Sequence, residues 1–198
     1  MELINQALFS WLNAPEHPSA SALALALFFA EQIIWAVPLL IGIGWLRGGE
    51  GTRKAMLIAT ASGLLGLLIN QAIGLVWWHP RPFMIGLGHT LVSHAADSSF
   101  PSDHLTLWWA VAFSLWVQPG LRITGVAMSL LGVPIAWARI YLGVHFPFDM
   151  LGAFAVAAIC GLLTWHGARW YVVPSYQAAT EIHRRLFGGL IARGWIRK

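Results

Sequence analysis

The chain has 198 residues, of which 58% are hydrophobic and only 10% charged, with a formal net charge of +4. A soluble domain of this size carries about 25% charged residues, so the composition excludes an ordinary soluble enzyme and indicates one integral membrane domain. The single cysteine, Cys160, lies in an apolar run, which excludes an intrachain disulfide and reads as a small core hydrophobe.

In chain order, Leu3, Ile4, Ala7, Leu8, Trp11 and Leu12 fall on one helical face, which predicts a short helix over residues 1–14 lying in the membrane interface. The stretch before Arg47 holds no Lys or Arg, so it does not read as a secretory signal. A helical span needs about 20 predominantly apolar residues, and five are expected, over about residues 21–46, 55–78, 101–117, 122–138 and 149–171. The tail 172–198, with Arg184, Arg185, Arg193, Arg197 and Lys198, is expected to form an interfacial or cytoplasmic helix. The predicted fold class is therefore an all-α integral membrane bundle, a single unit over 1–198 with its functional part in 21–171. No repeat or low-complexity segment interrupts it.

Five spans place Arg47, Arg53, Lys54, Arg122, Arg169 and the five basic residues of the tail on one side, which the positive-inside rule makes cytoplasmic. The N-terminus is then outside and the C-terminus inside. Basic residues so distributed are a topology signal, which argues against nucleic acid as a partner. Trp77, Trp78, Trp108 and Trp109 towards one edge, and Trp165, Trp170 and Trp195 towards the other, read mainly as interfacial belts.

Three polar islands collect on the outer side: His79–Pro82, His94–His104, and Arg139 through His145 to Asp149. Arg81 and Arg139 are stranded on the side that basic residues avoid, and a guanidinium suits paired hydrogen bonds to phosphate. The alternative is a structural salt bridge from each to Asp97, Asp103 or Asp149. Pro101-Ser102-Asp103-His104 opens the third span; Ser102 suits an N-cap, and the free N–H groups of a first turn bind anions. A plain capped helix with a solvated His104 is the alternative there. His145 and Asp149 are four apart at a helix start, a spacing that lets the carboxylate hold one ring nitrogen and leave the other free as nucleophile or base. Together these groups suit phosphoryl transfer.

The three islands resemble the three-part signature of the type-2 phosphatidic acid phosphatase superfamily, the lipid phosphate phosphatases. Arg81-Pro82 resembles the end of its first motif, Pro101-Ser102-Asp103-His104 its second, and Arg139, five residues, His145, three residues, Asp149 its third. The run from His89 to His104 is similar to the bacitracin-resistance branch of undecaprenyl-diphosphate phosphatases. The resemblance implies that His145 becomes phosphorylated, Asp149 orients it, and His104 protonates the leaving group. It further implies that Arg81, Arg139 and Ser102 hold the phosphate, with no metal or other cofactor. The implied substrate is a polyprenyl diphosphate, most specifically undecaprenyl diphosphate, at the outer face of a bacterial inner membrane in lipid-carrier recycling. Other lipid phosphates (phosphatidate, phosphatidylglycerophosphate, lipid A), transfer to a lipid acceptor, and a lipid or ion transporter are the alternatives.

The chain departs from the family pattern at two positions. A Lys usually stands seven residues before the first-motif Arg, where this chain has Gly74; either His79 is expected to help neutralise phosphate instead, or Arg81 and Arg139 suffice. Asp103 replaces the usual Gly of the second motif and is expected at the substrate, paired with an arginine or protonated on binding. Glu31 interrupts the first span and is a site candidate, for substrate contact or for orienting a catalytic residue, against structural hydrogen bonding. Asn70 and Gln71 are expected to bond between helices. His89, His94 and Asp97 read either as metal ligands or as a loop that shapes the site, the latter preferred.

Overall fold

The computed structural model describes residues 2–197 and is helical throughout its regular elements. Helix α1 covers Glu2–Leu12. The first span combines α2 (Ala20–Leu27), a π turn (Phe28–Gln32), a 3-10 turn (Ile33–Trp35) and α3 (Ala36–Arg47). Helix α4 follows over Glu50–Val76, then α5 (Asp103–Trp116), α6 (Arg122–Tyr141) and α7 (Pro147–Ala192). Spans Ala20–Arg47, Glu50–Val76, Pro119–Tyr141 and Pro147–Ala192 are long and apolar enough to cross a membrane, with mean hydropathies between 1.5 and 2.0. The protein is a multi-pass membrane protein.

The expected third span, α5, has 14 residues, or about 21 Å at 1.5 Å per residue, short of the roughly 30 Å hydrocarbon core. It is nevertheless the centre of the bundle, packed against α4, α6 and α7. Leu105, Trp108, Ala110, Val111, Ala112 and Leu115 are all buried. Shielded by its neighbours, it does not need to match the bilayer. Its far end still reaches the other side, because the turn Gln118–Leu121 shares a cavity with Gly51, Thr52 and Ala55 at the start of α4. Trp108 and Trp109 consequently belong to the core, not to a belt: Trp108 is 1% exposed, and the two indoles donate to the carbonyls of Met128 (2.7 Å) and Ser129 (3.1 Å). Trp77 and Trp78 are exposed, as a belt requires.

The boundary expected at 171/172 falls inside α7, which runs unbroken for 46 residues despite Pro174. Pro174 removes one ladder donor, but packing supplies the continuity. Trp45 lies 6.3 Å from the Tyr176 ring and 6.1 Å from His183, and buried Arg53 donates to the carbonyls of Trp45 and Arg197, each at 2.8 Å. The tail is thus helical, docked against the α3–α4 turn. Lys198 lies outside the described residues.

Helix α1 turns Leu3, Ile4, Leu8 and Trp11 outward and buries Asn5 and Phe9 against the bundle. Asn5 Oδ1 accepts from the N–H of Phe148 (3.0 Å), and Phe9 packs edge-on against Phe146 at 5.3 Å. Asn13, just beyond α1, donates to the carbonyl of His89 and accepts from its N–H. The interfacial helix is therefore also a strut beneath the 140–148 segment.

Candidate active site

The end of α6, the start of α7, the start of α5 and the loop 79–100 meet at one edge of the bundle. The α6–α7 connection turns at Gly143, whose φ of +81° favours glycine and whose Cβ would collide with the His89 carbonyl. That turn carries His145 into the interior. Pro147 occupies the first turn of α7, a favourable place for its fixed φ, and Asp149 reaches back to cap the helix through the N–H of Phe146 at 2.8 Å.

His145 Nδ1 lies 3.1 Å from Asp149 Oδ2, and both residues are essentially buried, at 2% and 1% exposed. The buried hydroxyl of Ser99 donates to the same oxygen. Nδ1 therefore carries the proton, and Nε2 presents its lone pair; Arg81 Nη1 donates to it at 3.1 Å. Burial, reinforced by Arg139 and Arg81, pushes the His145 pKa well below the ordinary histidine value, so the ring is neutral at pH 7. A neutral imidazole with an oriented Nδ1–H is the form that can attack phosphorus.

The two arginines are gathered as the stranded pair suggested. Arg81, buried, also donates to the carbonyls of Val144 (2.9 Å) and Ser98 (3.3 Å) and forms a 2.8 Å ion pair with Asp97. Arg139, buried, donates through Nη2 to His94 Nε2 at 3.0 Å, while its Nε has no partner. So the structural salt bridge exists for Arg81, with 61% exposed Asp97, and for Arg139 the partner is a histidine.

Ser102 stands at the N-cap position of α5, but its hydroxyl makes no capping bond; it is buried and unpartnered. His104, in the first turn of α5, lies in the electrostatic field of Arg139, His94 and Arg81. A buried Ser hydroxyl without a partner, a buried arginine Nε without a partner and a helix N-terminus are donors suited to an anion.

Three sequence expectations are corrected. His79 does not bond to the arginines: its Nε2 faces Glu2 at 3.5 Å, and it lines a cavity of about 260 Å³ with Glu2, Asn5, Trp77, Phe100, Phe148 and Asp149. Asp103 pairs with no arginine. Its two oxygens accept from Asn70 Nδ2 (2.8 Å) and Gln71 Nε2 (3.3 Å) on α4, which makes these amides the interhelical donors expected of them. Glu31 sits exposed in the π turn, and its charge is felt at Arg139, but it makes no hydrogen bond to a site residue. Such π turns recur at functional sites.

His89, His94 and Asp97 do not converge. His94 turns to Arg139 and Asp97 to Arg81, and among the described residues no group of three or more His, Cys, Asp or Glu is placed to hold a metal ion. Sequence reasoning missed Ser99 and the α1 asparagines. Asn5, Phe9 and Asn13 recur every four residues, a stripe opposite the apolar face of α1 that signalled a docked side.

A buried His–Asp pair beside two arginines, at the edge of a helical membrane bundle, defines a class of membrane-embedded sites for phosphate groups. The family model described as the PAP2 superfamily matches residues 55–172, and the chain belongs to that superfamily. It is similar to the putative undecaprenyl-diphosphatase YbjG of Escherichia coli (strain K12), 34% identical over 202 residues, covering 100% of this chain and 99% of the relative. It is also similar to undecaprenyl-diphosphatase BcrC of Bacillus subtilis (strain 168), 38% identical over 160 residues, 81% and 82% of the two chains. Among solved structures, Aquifex aeolicus LpxE superposes with a TM-score of 0.64 at 24% identity, covering 82% of this chain and 95% of that one. A transmembrane PAP2 type phosphatidylglycerolphosphate phosphatase from Bacillus subtilis does so at 0.58 and 19%, over 86% and 87%. These two likenesses concern the fold.

Proposed function

We propose that this protein is a membrane lipid diphosphate phosphatase that hydrolyses undecaprenyl diphosphate to undecaprenyl phosphate and inorganic phosphate. One observation carries the reading: His145, held at Nδ1 by Asp149, presents its unprotonated Nε2 to buried Arg81, while Arg139 Nε and Ser102 Oγ are buried without a partner. Membership of the superfamily and likeness to two relatives named undecaprenyl-diphosphatase support it.

The reaction divides into two displacements. Arg81, Arg139, Ser102 and the first-turn N–H groups of α5 hold the terminal phosphate, Arg81 exchanging Asp97 and the ring nitrogen for phosphate oxygens. His145 Nε2 then attacks phosphorus as the bond to the bridging oxygen breaks, and His104, which takes up a proton from solvent when the bound anion offsets the charge of the arginines, gives that proton to the oxygen, releasing the lipid monophosphate. Asp149 stabilises the positive ring through Nδ1–H. Water next attacks the phosphohistidine; His104 takes its proton, and His145 departs with its lone pair restored. Splitting hydrolysis this way lets one set of donors stabilise charge twice.

The site end carries Arg81 and Arg139, and the opposite end carries Arg47, Arg53, Lys54 and Arg122, with Arg197 docked there through its N–H to Leu46. By the positive-inside rule the basic end reads as cytoplasmic, which supports a site at the outer face of a bacterial inner membrane, where a lipid carrier is recycled. The exposed Leu3, Ile4, Leu8 and Trp11 of α1 seat that face in the interface.

A panel of lipid phosphates assayed in detergent tests the assignment. Undecaprenyl diphosphate should be turned over fastest, ahead of phosphatidate and phosphatidylglycerophosphate, and His145→Ala should release no phosphate. Preference for a monophosphate lipid, or wild-type turnover in the variant, would overturn the reading.

A further inference from the structure

Beside the two arginines stands a base that the two displacements leave unused. His94 is partly buried, its side chain 21% exposed, and its Nε2 lies 3.0 Å from Arg139 Nη2. Its ring centroid is 6.2 Å from that of His145. An arginine N–H can only donate, so Nε2 accepts and Nδ1 bears the proton, directed at the Ala95 carbonyl 3.2 Å away. With Arg139 as its donor, His94 is therefore neutral. Burial, then Arg81 and Arg139, lower its pKa below the ordinary value, against the Ala95 carbonyl and Asp97, whose Oδ1 is 3.9 Å from Nδ1.

The loop that carries His94 fills a particular space. A Cβ at Gly74 would stand 3.3 Å from Ser98 Cβ, so the loop packs tightly on this face of α4. Of the titratable bases in that loop, His94 is the one hydrogen-bonded to a site arginine.

We propose that His94 is a substrate-binding residue that takes up a proton as the terminal phosphate arrives and adds a cation to the anion site beside Arg81 and Arg139. This rests on the phosphatase reading and deepens it. Two arginines face a terminal phosphate that brings up to two negative charges, next to a second charged phosphate. The incoming anion reverses the balance at His94: phosphate oxygens favour the cation that Arg81 and Arg139 had opposed. The ring then changes from acceptor of Arg139 to donor towards phosphate, and Arg139 Nη2 is released to do the same. The proton comes from solvent at the exposed rim. Facing groups are Arg81 and Arg139, which oppose protonation, Asp97, which favours it, and His104 and His145, which oppose it when charged.

The linkage has a definite sign. The His94 pKa is higher in the complex than in the free protein, so its help in binding is complete below the free-protein pKa. That help is lost as pH rises through the value in the complex. KM should thus climb as pH rises from the acid to the alkaline side of the His94 pKa in the complex.

Steady-state kinetics of wild type, His94→Gln and His94→Lys on undecaprenyl diphosphate across that range provide the test. His94→Gln should raise KM about tenfold at the acid end, the scale of one charge-assisted contact, with kcat changed less than about threefold and a flattened pH profile of KM. His94→Lys, a fixed cation, should recover a low KM at the alkaline end, which a merely structural role would not produce. A His94→Gln enzyme with wild-type KM and pH slope would overturn the proposal, as would loss in both variants alike. If wild type prefers another lipid phosphate, the substrate assignment fails, and the same three enzymes decide the role of His94 on that lipid.

Discussion

Asp149 Oδ2 receives hydrogen bonds from the His145 ring, the Phe146 N–H and the Ser99 hydroxyl, all within a buried pocket. Such a carboxylate sets which nitrogen of His145 carries the proton. Asp149→Asn keeps the shape but allows the amide to donate where it should accept, which reverses the tautomer. Phosphate release should fall about 10³- to 10⁴-fold, as for an aspartate in an analogous His-orienting role, with KM for the lipid little changed. A loss of less than tenfold would show that Asp149 serves the helix cap and not the ring. His145 and Asp149 were legible in the sequence because a helix start brings residues four apart together. Ser99 was not, and His94 was legible only as part of a loop that shapes the site, because the loop 86–102 has no period from which a partner is read. His79 misled for a related reason: proximity to Arg81 in sequence does not fix which partner its ring meets, here Glu2.

Helices α1 and α5 show how elements position these residues. The short α5 was placed correctly from its apolar run and its Pro-Ser start, although its length alone would not identify a span. Its Asp103 reads as a site acid in sequence, yet it serves as the acceptor that ties α5 to Asn70 and Gln71 of α4. Helix α1 was legible as amphipathic; that its polar side docks was less so, because Asn on an interfacial helix is equally at home in water. Asn5 caps α7 from outside, one residue before Asp149. Asn5→Ala should lower stability by about 1 kcal/mol, the usual worth of a lost cap. The melting temperature in detergent should drop by about 2–4 °C and kcat by several-fold. An unchanged melting temperature with unchanged kcat would contradict the strut role of α1.

Over the whole molecule, hydropathy and charge defined the bundle, because a bilayer constrains span length and basic residues more strictly than water does. The continuity of α7 through 171/172 escaped them, since the docking of Tyr176 and His183 against Trp45 is a tertiary contact without a local signal. The burial of Trp108 and Trp109 escaped likewise: a tryptophan near a span end reads as a belt unless its neighbours are known. What the architecture achieves is to bring the His145–Asp149 pair to residues more than 40 positions away: Arg81 to His145 and Ser99 to Asp149. The central claim is that His145 is the nucleophile. The most direct measurement is a rapid quench with undecaprenyl diphosphate labelled in its terminal phosphate, followed by mapping of the label on the protein. The account predicts an acid-labile, alkali-stable phosphohistidine at His145 that forms and decays within turnover and is missing in His145→Ala. Label on another residue, or full turnover with no labelled protein, would contradict it.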